Sequence, residues 1–437
     1  MKKIKLTALS LLLIISIVLA AGCSSDKSSS DAGKDSKVTL TFGTHQSGIP
    51  RTGIMQEMAK DFEKESGIKV DFQVVPDAQW RDLVKAKIAS GEAPDIINVD
   101  VDPLSLNSNI RPEENAIDLT KEEFAGRMSK EILPSVSYKD KVYGVSFAPT
   151  KIWYVYYNKK IFNDLGINPP TNYEEFKAIS KKIKKAGITP FYMAPASGWY
   201  QVLPLFETGP NYEKLVPGVY EKLNNNEMKI QDLKPLENVI KQVKEFADLG
   251  YYGKDFLSNT VEAGLDSFGT GKAAMILRVP GTENDISKAH PEMKDKMGFF
   301  AMPFGDNQVI GVNPGGSAAM IGNKHSKHQK EILEFFRWMT KHENLQRVLD
   351  GGEGNLTICW PEIDSKLTQD YIDYEKNHEK GTVMQAAVKY IDPQWMDIGK
   401  DLTGMFAGSL TPKQILENID KRREEQAKVQ KDPSWEK

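Results

Sequence analysis

The chain has 437 residues, 27% of them charged and 40% hydrophobic, with a formal net charge of −3. That length favours two or three domains, and 9% aromatic residues supply enough material for real cores. The near balance of charge excludes the basic footprint of a nucleic-acid binder, and two cysteines exclude a disulfide framework or a Cys-rich zinc site. At the start of the chain, Lys2, Lys3 and Lys5 precede a mostly apolar run over residues 6–21. Its length and position suit an export signal better than a membrane span.

The apolar run closes on Ala20, Ala21, Gly22 and Cys23. This resembles the lipobox of bacterial lipoproteins, which implies cleavage after residue 22 and acylation of Cys23. The residues that follow, SSDKSSSDAGKDSK, hold nothing apolar larger than alanine. Such a segment cannot bury enough surface to offset its ordering entropy, so residues 23–37 read as an acylated cysteine and a flexible tether. Fully extended, the polar stretch reaches at most about 46–50 Å, which keeps the folded body near the outer face of a membrane. Loss of the three lysines takes the charge to −6. The lipid is then the anchor, with no basic surface to assist it.

The body alternates between strand and helix patterns. Thr39 to Gly43 is β-type; Ile54, Met55, Met58 and Phe62 follow at helical spacing, stopped by Gly67. Ile68 to Val75 reads as a strand, Leu83, Val84 and Ile88 mark a helix ended by Gly91, and Asp95 to Val99 is a third strand. This order predicts a parallel sheet covered by helices. Val142 to Val145 and Ile152 to Tyr157 follow as strands. Thr171 and Glu174 form a capping box for a helix closed by Gly187. Ile188 to Met193, Ala273 to Leu277, Gly298 to Pro303 and Val309 to Val312 are further strands. One helix is expected over Gln329 to Leu349, and the last is opened by Thr411, Pro412 and Gln414.

The sequence carries no G-x-S-x-G, H-E-x-x-H or C-x-x-C, and its six histidines are scattered. The stretch Gly269-Thr270-Gly271-Lys272 approaches a phosphate loop, but Asp266 and Ala273 stand where that loop needs glycine and a hydroxyl. No residue pattern argues for catalysis, a metal or a cofactor.

Several segments are similar to the extracellular solute-binding proteins of ABC-type sugar importers, the maltodextrin-binding-protein-like family 1. They are FEKESGIKV, VVPDAQW, IASGEAPDIINVD, YGVSFAPTKIWYVYYNKKIF, GITPFYMAPASGWY, FGTGKAAMILRVPG and GSLTPKQILENID, in that order. The resemblance implies an α/β, two-lobed periplasmic-binding-protein-like fold of type II, with ligand held in a cleft between lobes. It places lobe 1 at 38–150 and 314–380 and lobe 2 at 151–313 and 381–437. Crossings fall at Ala148 to Lys151, at Val312 to Gly316 and near residue 380.

Ligands of open parallel sheets bind beyond the C-terminal ends of strands. That rule selects Thr44, His45 and Gln46, then Pro76 to Trp80, then Asp100 to Asp102. A sugar presents flat C–H faces ringed by hydroxyls, so its site needs aromatic platforms and polar acceptors and donors. Trp199 and Trp395 match segments where the family supplies a stacking aromatic. Trp80 and Trp360 are further platform candidates, with packing as the alternative for each. Asp100 and Asp102 suit hydroxyl recognition or a turn, and Arg278 suits a cleft-facing fork or a wall salt bridge. Thr150 sits at the first crossing, and Gly315 and Gly316 at the second allow close ligand approach. Trp153, within IWYVYY, reads as packing and Trp338 as core.

These readings predict a lipid-anchored, extracellular, monomeric carbohydrate receptor that serves the membrane subunits of an ABC importer by binding without chemistry. The alternatives are the same fold with a non-sugar solute, a surface polysaccharide-processing enzyme, and a receptor that informs a sensor kinase.

Overall fold

Strand and helix alternate from the first described residues: β1 (Thr39–His45), α1 (Ile54–Ser66), β2 (Lys69–Val75), α2 (Asp77–Ser90) and β3 (Ile96–Val101). The computed structural model describes residues 38–46, 48, 53–147, 150–314, 317–351 and 356–436. The signal, Cys23 and tether readings, and those for Ala148, Pro149, Gly315 and Gly316, lie outside the described residues. α1 buries Met55, Met58, Ala59 and Phe62, which share one face at helical spacing. Gly67 (φ 77°) and Gly91 (φ 74°) terminate α1 and α2 in the left-handed region, where a side chain is costly.

The chain continues through β4 (Gly144–Ser146), β5 (Lys151–Ile152), β6 (Tyr154–Asn158), α3 (Tyr173–Lys185) and β7 (Thr189–Tyr192). Then come β8 (Ala273–Arg278), β9 (Met297–Phe300), β10 (Ile310–Asn313), β11 (Ser317–Gly322), α4 (Gln369–Asn377), β12 (Lys380–Thr382), α5 (Trp395–Phe406) and α6 (Pro412–Gln430). The first sheet has the order β2-β1-β3-β11-β4, with β1 parallel to both neighbours and β11 antiparallel to β3 and β4. The second has the order β9-β6-β8-β7.

Each sheet carries its own core. The first gathers buried residues from 40–147 and 319–363; the second gathers them from 152–310, Leu356 and 371–419. A third, three-stranded sheet has the order β12-β10-β5, in which β10 runs parallel to β12 and antiparallel to β5; β5 and β10 lie where one core gives way to the other in sequence, and β12 lies within 371–419. β5 and β10 overlap the segments 148–151 and 312–316, and β12 begins at residue 380.

Four local expectations change. The cap of α3 sits one residue later than Thr171, because the Asn172 side chain accepts from the Glu175 amide while Thr171 donates to the Glu175 carboxylate. The long helix expected over 329–349 is two helices, Gln329–Met339 and His342–Gly351, broken where the Thr340 hydroxyl turns back onto the Phe336 carbonyl. β11 was not anticipated, since its alanines carry little strand propensity. The chain also joins the second core before residue 380: α4 stacks Tyr371 on Phe299 with ring centroids 4.5 Å apart. The Tyr371 hydroxyl donates at 2.7 Å to Glu283 on the helix Thr282–Ala289, which ties α4 to the second core. The lobe 1 segment at 314–380 is therefore too long by this helix.

Candidate functional site

Gly43 in β1 lets α2 approach the first sheet, because a Cβ there would lie 2.9 Å from the Trp80 ring and 2.7 Å from Pro94. Trp80 fills that space, is buried, and donates its indole N–H to the Asn98 carbonyl at 3.0 Å. His45, at the end of β1, stacks on Trp80 with centroids 6.2 Å apart. Its Nδ1 lies 2.9 Å from Asp77 and its Nε2 lies 3.7 Å from Asp100. Burial opposes a charge on this imidazole, but the two carboxylates outweigh burial and push its pKa up to about 9. His45 is therefore an imidazolium at neutral pH. The same attraction, with that of Arg81, overcomes burial at Asp100 and holds its carboxyl well below the usual carboxylate range.

Arg81, next on α2, ties this cluster to the second core. Its guanidinium donates to the Asp392 carbonyl at 2.5 Å and lies 3.3 and 3.4 Å from the two Asp392 carboxylate oxygens. A further arm reaches Asp100 at 3.5 Å. Asp392 opens the turn that leads into α5, three residues before Trp395. An ion pair thus joins α2 of the first half to the start of α5 in the second.

On the second side, three half-buried tryptophans stand together. Trp199 lies 5.8 Å from Trp153 and 6.3 Å from Trp395, the latter edge to face, and the Trp395 indole donates to the Trp199 carbonyl at 2.9 Å. Beneath them Tyr200 is buried, with its hydroxyl donating to the Leu277 carbonyl and accepting from the Leu277 amide. The charged group and the aromatic group are linked through the chain, since Asp392 stands three residues before Trp395 at the start of α5. Such a surface can stack a flat apolar face and hydrogen-bond its rim.

The other expected residues fall elsewhere. Trp80 and Trp360 offer no open face, which corrects the platform expectation for both. Trp360 is fully buried, donates to the Ser146 carbonyl at 2.9 Å, and packs on Phe147 and under Arg127. Cys359 is bonded to the same carbonyl, and burial pushes its thiol up to about 12, so it is no nucleophile at neutral pH. Arg278 is buried, lies over the Tyr200 ring and donates to the Val261 carbonyl, so the wall role replaces the cleft-facing fork. Asp102 caps a turn, its Oδ1 accepting from the Leu104 and Ser105 amides at 2.8 and 3.0 Å. Gln46 is exposed, and Thr150 is half-buried just before β5.

Three residues of the assembled site were missed, Arg81, Trp153 and Asp392, whereas Asp77 lies within the selected stretch Pro76 to Trp80. Arg81 follows Trp80, and Asp392 precedes Trp395 within IDPQW, so proximity to the chosen tryptophans was the available signal. Nothing in IWYVYY marked Trp153 as half-exposed.

One turn further along α2, a cavity of about 600 Å³ is lined by Lys85, Ser108, Arg111, Glu425 and Gln430 among others. Its lining includes no aromatic residue, so it lacks the platform a sugar needs.

Residues 48–346 match the bacterial extracellular solute-binding protein family. A multiple sugar-binding protein of Streptococcus mutans is 27% identical over 343 residues, covering 76% of this chain and 78% of the relative. The melibiose/raffinose/stachyose-binding protein of Bacillus subtilis is 23% identical and 84% covered on both sides. Among solved structures, a chitin oligosaccharide binding protein matches with a TM-score of 0.76 at 21% identity, over 90% of this chain and 99% of the other. A sugar transporter of Bacillus licheniformis in complex with stachyose matches at 0.73 and 19% identity, over 89% and 100%. These two likenesses concern the fold, which is the two-lobed type II architecture. With the family match extending over more than half of its length, this chain belongs to the bacterial extracellular solute-binding proteins.

Proposed function

We propose that the protein captures a carbohydrate between its two halves and delivers it to the membrane subunits of an ABC importer. The observation that carries this reading is the cluster of half-buried Trp153, Trp199 and Trp395, with the ion pair of Arg81 and Asp392 at the start of the Trp395 helix. Aromatic faces supply stacking, and the carboxylates accept hydroxyl protons. The names of the relatives, which bind several sugars or melibiose, raffinose and stachyose, point the same way. An anionic solute fits less well, because the cations His45 and Arg81 are already engaged by carboxylates. The role is binding without catalysis, as a monomer.

The halves move about the strands β5, β10 and β12, so bound sugar would stabilise a closed form that the importer recognises. Cys23 carries the acyl anchor, and the tether lets the body reach the importer. Two experiments test these parts. A panel of mono- and oligosaccharides should include one that raises the melting temperature, with Trp199→Ala and Trp395→Ala abolishing the shift. Metabolic labelling with palmitate should mark the wild-type protein and not Cys23→Ser; equal labelling of both would remove the anchor from the account.

A further inference from the structure

β1, β2 and β3 run parallel, so their first residues share one edge of the first sheet, and His45 and Asp100 stand toward the other. The seven residues of β1 separate the two edges by about 23 Å. β11 runs back toward the first edge, with Gly322 opposite Ile96, and delivers the stretch NKHSKHQK, residues 323–330, to it. The Asn323 amide donates to the Asp95 carbonyl at 2.8 Å, and its side chain donates to the Ala93 carbonyl at 3.0 Å. The Asp95 carboxylate accepts from the Thr41 amide and hydroxyl at 2.8 Å and from the Ser326 hydroxyl at 2.5 Å. One carboxylate thus fastens the loop beside the start of β1.

Lys324, Lys327 and Lys330 on this loop are exposed, and among the described residues none of them forms an ion pair. Lys69, also exposed, stands opposite Thr39 at the same edge. Nearby acids are matched elsewhere: Glu113 pairs with Lys139 at 2.7 Å and Glu114 with Arg111 at 4.0 Å. Glu92 and Glu331 flank the loop, which leaves four amines against two carboxylates. A net charge taken over the whole chain conceals such a patch, because it says nothing of placement.

We propose that this edge of the first half docks on a lipid surface carrying anionic headgroups, as a second attachment beside the acyl chain of Cys23. The proposal rests on the reading of Cys23 as the anchor. The chain enters β1 at this edge, so an anchor ahead of residue 38 draws this edge, and not the one bearing His45, to the membrane. One acyl chain holds a protein only marginally, and a basic patch supplies a second signal. A tether of 15 residues keeps the local concentration of headgroups high, so a patch of few charges suffices. It replaces the expectation, drawn from net charge, that no basic surface assists the lipid. Docking in this way leaves the edge with His45 and Asp100 facing outward.

Both cores lie within residues 40–419, so the chain from residue 38 onward folds without Cys23. That chain should cosediment at low salt with vesicles of equal parts phosphatidylcholine and phosphatidylglycerol. Pure phosphatidylcholine vesicles should leave it in solution, and salt of about 0.5 M should release it. The triple variant Lys324→Gln, Lys327→Gln, Lys330→Gln should bind about 100-fold more weakly, at about fivefold for each amine. A second triple variant, Lys181→Gln, Lys182→Gln, Lys185→Gln, removes the same charge from the exposed face of α3 and should bind like the wild type. No binding to the mixed vesicles, or equal loss in the two triple variants, overturns the proposal. Palmitate labelling of the full chain reports on the anchor separately, so either reading can fail alone.

Discussion

At His45 the contest between burial and charge decides a protonation state, and that state can be measured. A histidine raised to about 9 when folded, from 6.5, adds stability that is complete below 6.5. The contribution then fades as pH rises through 9. Guanidinium unfolding between pH 6.5 and 9 should show the wild type losing up to about 1.4 kcal/mol per pH unit, with a flatter profile for His45→Gln. The four candidate tryptophans divide by exposure. Trp360→Ala removes a fully buried indole and should cost about 3–5 kcal/mol in unfolding free energy without a specific effect on affinity. Trp199→Ala, at a half-buried face, should instead weaken sugar affinity by at least about tenfold while costing less stability. If calorimetry found the reverse order, the assignment of platform and core would be wrong. The sequence located Trp199, Trp395 and the carboxylates at the end of β3, because strand ends and loop aromatics are local features. It could not separate Trp80 from Trp199, since both stand beside polar residues near an element start. What separates them is Gly43, 37 residues away in sequence, which opens a seat for one ring.

At the scale of elements, glycines on the crossing strands govern close packing. Gly311 in β10 and Gly381 in β12 face the helices Leu203–Glu207 and Gly209–Leu215, where added Cβ atoms would lie 2.6 Å from the Glu207 carboxyl and 2.7 Å from Pro210. Gly311→Ala also meets the Glu207 carbonyl at 2.8 Å, so it should destabilise by about 1–3 kcal/mol and displace the crossing sheet. Thermal unfolding of Gly311→Ala at wild-type Tm would show that this contact yields freely. Glu207 itself is 2% exposed, and neither of its carboxyl oxygens has a hydrogen-bond partner among the described residues. Burial pushes it well above the usual carboxylate range. Its cost therefore appears as pH rises above the unfolded value near 4.5, where only the unfolded chain ionises. Glu207→Gln should raise Tm at pH 8 and leave it nearly unchanged at pH 4. Elements with strong periodicity or glycine stops, such as α1, α2 and α6, were legible in sequence because local residues set them. β11 and the break between residues 339 and 342 were not: the first depends on pairing with β3 and β4, the second on one hydroxyl turning onto the backbone.

Over the whole molecule there are two cores and a separate three-stranded sheet, and under the proposed function binding and hinge motion would be one equilibrium. The ion pair of Arg81 with Asp392 is the charged link across the two halves next to the tryptophans, and no local pattern announced it because its partners are 311 residues apart. Breaking it with Arg81→Ala leaves Asp392 buried beside Asp100 without its cation. That variant should therefore lose sugar affinity through faster dissociation. Stopped-flow traces with an unchanged off-rate would place the pair outside the closing surface. The most direct test of the central claim is isothermal titration calorimetry of the wild-type protein against a panel that includes raffinose, stachyose and arabino- and chitin oligosaccharides, with chromatography of the recovered ligand. The account predicts saturable 1:1 binding of at least one sugar, its loss in Trp199→Ala, and recovery of the sugar uncleaved. Binding of none of them, or release of shortened products, would contradict it.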